Sequence, residues 1–366
     1  MKNRNKKNIY LVLSTAVIIC IIICIVGTYF LQGFANPSYS STVSCKIFNA
    51  FYNEEKNSLD AVYIGPSAVN RYWIPPLAFE NQGIAISVFS TPEQPFVLAK
   101  YMMQEAKKSQ DSALYIVELI TACKDANYTT EKSLRYTTDN LKPSLLRLKA
   151  VNAGLENMSL GENEVQGNSI ATFFPALEPL KRMLKGNLDE KINFRMTEEE
   201  NPVKGYRMDS TLTFRQTELP VSQYTPDKTA PMAPETEEIL LDLLDYCDSI
   251  DNEVVFVLAP YSAKEDDYPI LNTAISIVES RGYDVINFNT KESIESLGIN
   301  WKTDFYNRVH TNCLGAEKFT LSFAKYLKEN YNLPDHRNDP TYSDWHESYS
   351  NYVDYTAERK EKMIVE

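Results

Sequence analysis

Residues 59–67 have the sequence LDAVYIGPS, and this stretch decides the predicted fold. Its apolar run is rich in β-branched and aromatic residues and stops at glycine and proline, which is typical of a strand buried on both faces. Further strands are predicted at 84–89, 113–120, 254–259 and 284–288, and helices at 94–107, 271–280 and 314–331. Strands that alternate with helices indicate an α/β fold with a mostly parallel sheet of about five strands.

The predicted organisation has one folded domain, at 59–331. An interval at about 124–235 is polar and is expected to be a partly helical insertion between the third and fourth strands; such insertions often shape a site. The segment 35–58 is predicted to be a linker, with a short helix from Ser44 to Tyr52. The tail, 332–366, is aromatic and charged without clear periodicity, so it is expected to pack loosely or to move.

Residues 1–34 have the pattern of a membrane anchor. Four basic residues between positions 2 and 7 precede an apolar stretch from Ile9 to Leu31. At about 1.5 Å per residue, a helix of this length can cross a bilayer core of roughly 30 Å. A cleavable signal peptide is the alternative, although residues 33–35 are a poor cleavage site. The basic flank predicts a single-pass protein with a cytoplasmic N-terminus and an extracellular domain.

Composition excludes several classes of partner. The net charge of −12 argues against nucleic acid, which needs a basic face. The six cysteines have no CxxC spacing, and no cluster of histidine and acidic residues has the spacing of metal ligands. A disulfide among the cysteines beyond the anchor is allowed, and idle thiols are the alternative. The sequence therefore predicts neither a metal nor another cofactor.

Ser67 is the first candidate catalytic residue. It follows the first predicted strand in a tight Gly65-Pro66-Ser67 turn. Ligands of parallel α/β sheets bind beyond the carboxyl ends of the strands, so a serine here is placed as a nucleophile would be. Its own backbone N–H can help to stabilise an oxyanion. The alternative is a helix cap, because serine after a strand commonly caps the next helix.

His310 is the candidate general base. Of the three histidines, His336 and His346 lie in the tail, whereas His310 lies between the last predicted strand and the last predicted helix. A base at that edge of the sheet can face a serine at a strand end, and imidazole has a pKa near neutrality. A histidine satisfied by local hydrogen bonds is the alternative.

A third segment, Phe89 to Gln94, follows the second predicted strand. Its backbone N–H groups are candidates for a second oxyanion donor, and an ordinary turn capped by serine or threonine is the alternative. The candidate oxyanion and substrate-binding residues are Ser90, Thr91, Gln94 and Asn70.

Gly65-Pro66-Ser67 and the later run Asn307-Arg308-Val309-His310 resemble motifs of the SGNH/GDSL hydrolase superfamily. The run from Asp304 to Thr320 is especially similar to its membrane-anchored bacterial branch. That branch includes D-alanyl transfer proteins of teichoic acid modification and partners of polysaccharide O-acetyltransferases. The likeness covers about 59–94 and 254–327 and leaves out the insertion.

The resemblance implies a flavodoxin-like three-layer sandwich with Ser67 as nucleophile and His310 as general base. Ser90 or Thr91 falls where the family has a glycine whose backbone N–H binds the oxyanion. The asparagine that the family places after the third strand has no counterpart that the sequence identifies.

One departure from the family concerns the acidic residue three positions before the histidine, which is Asn307 here. Asn307 can still orient the imidazole, as asparagine does in Cys-His-Asn sites. Asp304 is a candidate to replace the missing carboxylate or to act through Asn307, and a plain Ser-His dyad is the third possibility.

The resemblance implies a serine esterase or O-acyltransferase that forms an acyl-serine. It also implies a cell-envelope polysaccharide or teichoic acid as substrate, and a membrane-bound acyltransferase as partner. The alternative function is a non-catalytic envelope protein that binds a glycan, an acyl carrier or a membrane partner, for which Asn307 is the best support. A purely structural tethered domain is the third reading.

Overall fold

The computed structural model describes residues 2–31, 42–111, 113–162, 172–175, 201–207 and 228–365. Within these residues one sheet has five strands, β1 (Ala61–Gly65), β2 (Ile86–Ser90), β3 (Leu114–Glu118), β4 (Val254–Leu258) and β5 (Asp284–Asn287). The strand order is β2-β1-β3-β4-β5, and every pairing is parallel. The expected α/β class and five-stranded sheet are therefore confirmed.

The helices of the described residues are α1 (Lys2–Leu31), α2 (Thr42–Tyr52), α3 (Ser67–Tyr72), α4 (Pro75–Gln82), α5 (Ala99–Lys107), α6 (Glu131–Thr138), α7 (Leu145–Leu160), α8 (Pro234–Asp248), α9 (Asp267–Ser280), α10 (Lys291–Leu297), α11 (Cys313–Asn330) and α12 (Ser343–Val365). Short 3₁₀ turns lie at Phe96–Leu98, Ala126–Tyr128 and Pro340–Tyr342.

Both faces of the sheet are covered, because every residue of β1 to β4 is buried. Helix α11 packs through Phe323, whose ring lies 6.0 Å from that of Tyr63 and 5.5 Å from that of Trp73, centroid to centroid. Phe51 of α2 stacks on Phe89 of β2 at 4.1 Å. Edge-to-face and stacked rings of this kind stabilise the core beyond their buried area.

The strand order creates a topological switch point at the carboxyl ends of β1 and β3, because the chain leaves β1 for one side of the sheet and returns to β3 on the other. Ser67 begins α3 directly after β1, at this point. Glycine is required at Gly65, since a Cβ there would lie only 2.6 Å from the Cβ of Glu118 and 2.9 Å from Cγ2 of Val69. The tight approach of β1 to β3 therefore fixes where the Ser67 turn begins.

Part of the segment predicted to be a linker is folded. Phe48 and Phe51 of α2 are 1% and 0% exposed, and both rings contact Phe89 of β2. Residues 42–52 thus belong to the core of the domain. Residues 35–41, the first part of the predicted linker, lie outside the described part of the chain, as do residues 32–34 of the predicted anchor segment.

The prediction of a loosely packed tail is wrong. Trp345 and Tyr352 of α12 are 1% and 2% exposed, and Trp345 lies against Phe79 of α4 with ring centroids 5.3 Å apart. Thr356, one turn after Tyr352, is 1% exposed. Burial of these large aromatic side chains holds the helix on the domain.

Of the helices between β3 and β4, α6 and α7 lie within the predicted insertion, 124–235, and α8 begins at its end. Arg135 and Arg147 are both buried and form ion pairs with Asp139, at 3.0 and 3.5 Å. A further described segment, 201–207, lies against α3, because the backbone N–H of Arg207 donates to the carbonyl of Asn70 at 2.8 Å. The insertion therefore reaches the helix that begins with Ser67.

The expected anchor, Ile9 to Leu31, falls within α1, and the side chains of residues 25, 26 and 28–31 lie outside the described part of the chain. Among the described residues, no helix combines the length and the apolar character needed to cross a membrane.

Candidate active site

Ser67 and His310 meet at the carboxyl edge of the sheet. Ser67 Oγ lies 2.7 Å from His310 Nε2, although the two residues are 243 positions apart in the chain. Both side chains are half-buried, so they are held by the protein and yet reachable from solvent. This is the hydrogen-bond distance that a nucleophile and its general base require.

The side chain of Ser67 does not cap a helix. The N-cap position of α3 is Pro66, and no side-chain hydrogen bond caps this helix. Ser67 is the first helical residue, and its hydroxyl is directed at His310 instead. Its backbone N–H, like others in a first turn, has no acceptor within the helix. That N–H remains a candidate oxyanion donor.

The loop that carries His310 is fixed by a tyrosine from α3. The Tyr72 hydroxyl contacts the carbonyl of Pro260 and lies 2.9 Å from the carbonyl of Val309, the residue before His310. Tyr306 stacks on the imidazole with ring centroids 5.4 Å apart and planes within 7°. The base is thus positioned by contacts from its own loop, which the Tyr72 hydroxyl of α3 joins to the loop after β4.

Asn307 contacts the other nitrogen of His310. Its Oδ1 accepts the backbone N–H groups of Val309 and His310 at 2.8 and 2.9 Å, which fixes the orientation of the amide. Both amide atoms then lie near His310 Nδ1, Oδ1 at 3.1 Å and Nδ2 at 3.0 Å. A proton on Nδ1 donates to Oδ1 and leaves Nε2 free to act as a base. A proton on Nε2 lets Nδ2 donate to Nδ1 and gives the tautomer that cannot accept from Ser67.

The structure does not bring Asp304 to His310. The Asp304 carboxylate accepts from the backbone N–H of Asn300 at 2.8 Å and pairs with the Lys318 ammonium at 2.7 Å. It is 1% exposed and also accepts from the Thr303 hydroxyl at 2.9 Å. Asp304 therefore joins its loop to α11, and the proposal that it completes the site is corrected in favour of Asn307.

The four candidate oxyanion and substrate-binding side chains are all buried, at 2% exposure or less. Asn70 Nδ2 donates to Ser90 Oγ at 2.9 Å, and the Thr91 hydroxyl pairs with that of Thr137 at 2.7 Å. The backbone N–H of Thr91 is engaged with the carbonyl of Gly65 at 3.4 Å, so it belongs to the sheet and is not an oxyanion donor. Gln94 is also buried, and its Oε1 has no hydrogen-bond partner among the described residues. All four side chains are thus packed inside the domain and are not exposed to a ligand.

Sequence reasoning missed Arg71 and Tyr306, which lie beside the base. The Arg71 guanidinium carbon lies 4.8 Å from the centre of the Tyr306 ring, which in turn stacks on His310. The pKa of His310 is lowered to about 3. The largest cause is burial, and the positive charges of Arg71 and Arg207 lower it further. A lowered pKa keeps the imidazole neutral at neutral pH, which is the state a general base needs.

The titration of His310 can be followed directly, because the chain has only three histidines. In ¹H–¹³C spectra of histidine-labelled protein, we expect the His310 resonance to remain that of neutral imidazole well below its usual pKa of 6.5. His346, whose pKa is raised by its hydrogen bond to Glu80, should titrate above that value. Arg71→Met removes one positive charge and should move the pKa of His310 upward. A His310 resonance that titrates near 6.5 in the unmodified protein would contradict this electrostatic account.

Glu118, another residue that the sequence did not single out, joins three strands beneath the Ser67 turn. Its carboxyl group accepts from the Tyr63 hydroxyl at 2.7 Å and from the backbone N–H groups of Ile120 and Ala259, both at 3.2 Å. Burial raises the pKa of Glu118 to about 7, against the opposing effect of these hydrogen bonds. The ends of β1, β3 and β4 are therefore held together by one buried carboxyl group.

Glu118 should make stability depend on pH. Its raised pKa means that, between pH 4.5, the ordinary pKa of a glutamate, and about pH 7, the folded state holds a proton which the unfolded state releases. The free energy of unfolding should therefore fall as pH rises through this window, by about 3 kcal/mol. Glu118→Gln should remove this dependence, and urea unfolding of both proteins at several pH values measures the difference. Parallel pH profiles for the two proteins would show that Glu118 does not titrate in this range.

No family model matches the chain, and no curated protein is significantly similar to it. Within the part of the chain that the structure describes, no group of histidine, cysteine and acidic residues is arranged to hold a metal ion.

Proposed function

We propose that this chain is a serine-dependent esterase or O-acyltransferase of the SGNH type. The observation that carries the proposal is the 2.7 Å contact between Ser67 Oγ and His310 Nε2 at the switch point of the sheet. The turn and loop motifs that resemble the SGNH superfamily supply these same two residues.

In the first half of the proposed reaction, His310 Nε2 takes the proton of the Ser67 hydroxyl while Oγ attacks the ester carbonyl carbon. The backbone N–H of Ser67 is placed to stabilise the resulting oxyanion. As the tetrahedral intermediate collapses, the bond to the alcohol oxygen breaks, and His310 gives that oxygen its proton. The alcohol leaves, and the acyl group remains on Ser67.

In the second half, water or an acceptor hydroxyl loses its proton to His310 Nε2 and attacks the acyl-serine. Water gives a carboxylic acid, and an acceptor hydroxyl gives a new ester. His310 then returns the proton to Ser67 Oγ as the acyl group leaves. Asn307 Oδ1 supports both halves, because acceptance from Nδ1–H holds the tautomer in which Nε2 is the base.

The resemblance also suggests the setting of the reaction. We infer a cell-envelope glycan or teichoic acid as substrate, a membrane-bound acyltransferase as partner and an anchored domain outside the cell. Support for the location is the basic flank and the apolar stretch from Ile9 to Leu31. Extraction of cell membranes with alkaline carbonate tests it: the full-length chain should remain in the pellet, and release into the supernatant would contradict an integral anchor.

A second candidate function is a non-catalytic binding protein of the same fold. The observation in its favour is that Asn307 Nδ2 lies 3.0 Å from His310 Nδ1, which is compatible with the unproductive tautomer. In that case the Ser67–His310 pair would bind a ligand without forming a covalent bond to it.

Hydrolysis of 4-nitrophenyl acetate by the purified full-length protein separates the two candidates. We expect turnover that is lost in His310→Gln and retained in the matched control His346→Gln, whose histidine lies in α12 and pairs with Glu80. Addition of glycerol as an acceptor should divert acyl groups from water if the enzyme is a transferase. Equal rates in the two histidine variants would refute His310 as the base, and the absence of any turnover would favour the binding protein.

A further inference from the structure

The carboxyl group of Glu118 is surrounded by hydrogen-bond donors. Oε2 accepts from the Tyr63 hydroxyl at 2.7 Å, and Oε1 accepts from the backbone N–H groups of Ile120 and Ala259, both at 3.2 Å. Tyr63 lies on β1 and Ala259 follows β4, so one side chain on β3 joins three neighbouring strands. This set of partners suits a carboxylate, which accepts hydrogen bonds and donates none.

A proton on Glu118 disturbs this arrangement. The O–H of a neutral carboxyl group needs an acceptor, and the hydroxyl in contact with it, that of Tyr63, already donates to Glu118. If the Tyr63 oxygen accepts the new proton, its own proton has no acceptor among the described residues. If the carboxyl group turns toward another acceptor, the N–H of Ala259 loses its partner. Because an unmet hydrogen bond in a buried site is costly, protonation loosens the contact between β3 and the residues after β4.

The loop after β4, residues 259–263, begins at Ala259 and supports the loop that carries His310. All five of its residues are buried. The Tyr72 hydroxyl contacts the carbonyl of Pro260 and lies 2.9 Å from that of Val309, so it joins the two loops directly before His310.

Arg308 joins the same two loops a second time. Its Nε and Nη2 donate to the carbonyl of Ser262 at 3.3 and 3.2 Å, and Nη2 also donates to that of Ala263 at 3.1 Å. In return, the backbone N–H of Ser262 donates to the carbonyl of Arg308 at 2.8 Å. The loop that carries His310 is therefore docked on the loop whose first residue Glu118 holds.

The ionisation of Glu118 is not shared with a charged neighbour. Among the described residues, the titratable side chains that face it are Tyr63 of β1 and Tyr72 of α3, and burial raises the pKa of both well above 10. Both tyrosines therefore stay neutral while Glu118 titrates. Burial raises the pKa of Glu118 to about 7, and the hydrogen bonds from its donors oppose that rise.

We propose that Glu118 is a positioning residue for His310: its carboxylate holds the loop after β4, and through it the loop of His310, in the arrangement that places Nε2 against Ser67, and its neutral form releases that arrangement. This inference rests on the proposed function for the reaction in which the base is used. A small displacement of a base lowers the rate of proton transfer steeply, so the state of Glu118 sets the activity. The buried charge thus lowers stability and supports the geometry of the site.

The pH profile of kcat/KM for 4-nitrophenyl acetate tests the proposal, because this substrate has no group that titrates. The pKa of His310 is lowered to about 3, so protonation of the base reduces activity in strong acid only. An inflection near pH 7 is expected from Glu118, with kcat/KM about tenfold higher above it than below. Glu118→Gln should remove the inflection and keep the lower rate at every pH.

Two further variants separate positioning from a general loss of structure. Glu105→Gln is the matched control, because Glu105 of α5 is 2% exposed and accepts from the Tyr52 hydroxyl at 2.9 Å; this variant should keep the inflection. Tyr63→Phe leaves Glu118 in place and removes a hydrogen bond that lowers its pKa, so the inflection should move to higher pH. A merely structural role of Glu118 predicts no such movement.

The ¹H–¹³C resonance of His310 gives a test that is independent of turnover. Its imidazole is neutral near pH 7, so ionisation of Glu118 should appear as a small step in its chemical shift, unlike the full titration of His346. Glu118→Gln should abolish the small step, and Glu105→Gln should retain it.

The outcomes distinguish this proposal from the proposed function. Turnover without the inflection, or an inflection that survives in Glu118→Gln, would overturn the role of Glu118 and leave the proposed function standing. No turnover of any ester, together with a His310 step that depends on Glu118, would overturn the proposed function and leave the coupling of Glu118 to His310. Without turnover, absence of that step would overturn the coupling as well.

Discussion

Replacement of Ser67 by alanine is expected to lower kcat/KM for an activated ester by about 10³-fold or more and to abolish the burst of product that accompanies acylation. The reason is that, among the described residues, Ser67 supplies the one hydroxyl within hydrogen-bond distance of His310 Nε2, at 2.7 Å. Stopped-flow measurement of 4-nitrophenol release gives both the burst and the steady rate. Ser276→Ala, a serine of α9 whose hydroxyl donates to the Asn272 carbonyl at 2.8 Å, is the matched control and should behave as the unmodified protein does.

Ser67 and His310 should also act as a unit. If the imidazole serves only to activate the serine, the double variant Ser67→Ala/His310→Gln should be no slower than Ser67→Ala alone. Two losses that multiply would mean that His310 has a role independent of Ser67, which the proposed mechanism does not contain.

Replacement of Asn307 should have the second large effect on kcat/KM, and the direction of that effect depends on the new residue. Asn307→Ala removes the acceptor for His310 Nδ1–H and the two backbone hydrogen bonds at 2.8 and 2.9 Å, so kcat/KM should fall at least about tenfold. Asn307→Asp keeps the acceptors but replaces Nδ2, the donor that favours the unproductive tautomer, by oxygen. We expect Asn307→Asp to raise kcat/KM above that of the unmodified protein.

The pH profile distinguishes this explanation from a structural one. A carboxylate next to Nδ1 stabilises imidazolium, so Asn307→Asp should raise the pKa of His310 and shift the acid limb of kcat/KM to higher pH. Asp304→Asn, in contrast, should lower stability through its contact with Lys318 and affect kcat/KM less than Asn307→Ala does. If Asp304→Asn caused the larger loss of activity, Asp304 rather than Asn307 would be the residue that orients the base.

The sheet was predictable because local pattern and tertiary environment agree along it. Strands buried on both faces are apolar throughout, as Ala61–Gly65 and Val254–Leu258 are, and they end at glycine, proline or polar residues. The Ser67–His310 pair was predictable for a related reason: parallel strands direct their following loops to one edge.

The C-terminal helix was missed although its signal is present. Trp345, Tyr349, Tyr352 and Thr356 follow one another at spacings of three and four, which is the period of one helix face. Polar residues and two acids, Glu347 and Asp354, lie between them and obscure this stripe. Its partner, α4, is distant in sequence, so the packing of Trp345 against Phe79 could not be predicted from either segment alone.

The residues around His310 could not be predicted from the sequence for a different reason. Arg71 is an ordinary helix residue in the sequence, and only the fold brings it to Tyr306, which follows it by more than two hundred positions. Glu118 ends an apolar strand, and its role depends on backbone N–H groups that carry no side-chain signature. Asn307 contacts His310 and Asp304 does not, and this difference likewise depends on the conformation of one loop.

The most direct test of the account is the covalent labelling of Ser67. Full-length protein is treated with a fluorophosphonate, which reacts with activated serines, and the site of modification is mapped by peptide mass spectrometry. The account predicts one phosphonylated peptide, modified at Ser67, with labelling that is lost in Ser67→Ala and strongly slowed in His310→Gln. Labelling that persists in Ser67→Ala, or no labelling of the unmodified protein, would contradict the claim that Ser67 is an activated nucleophile.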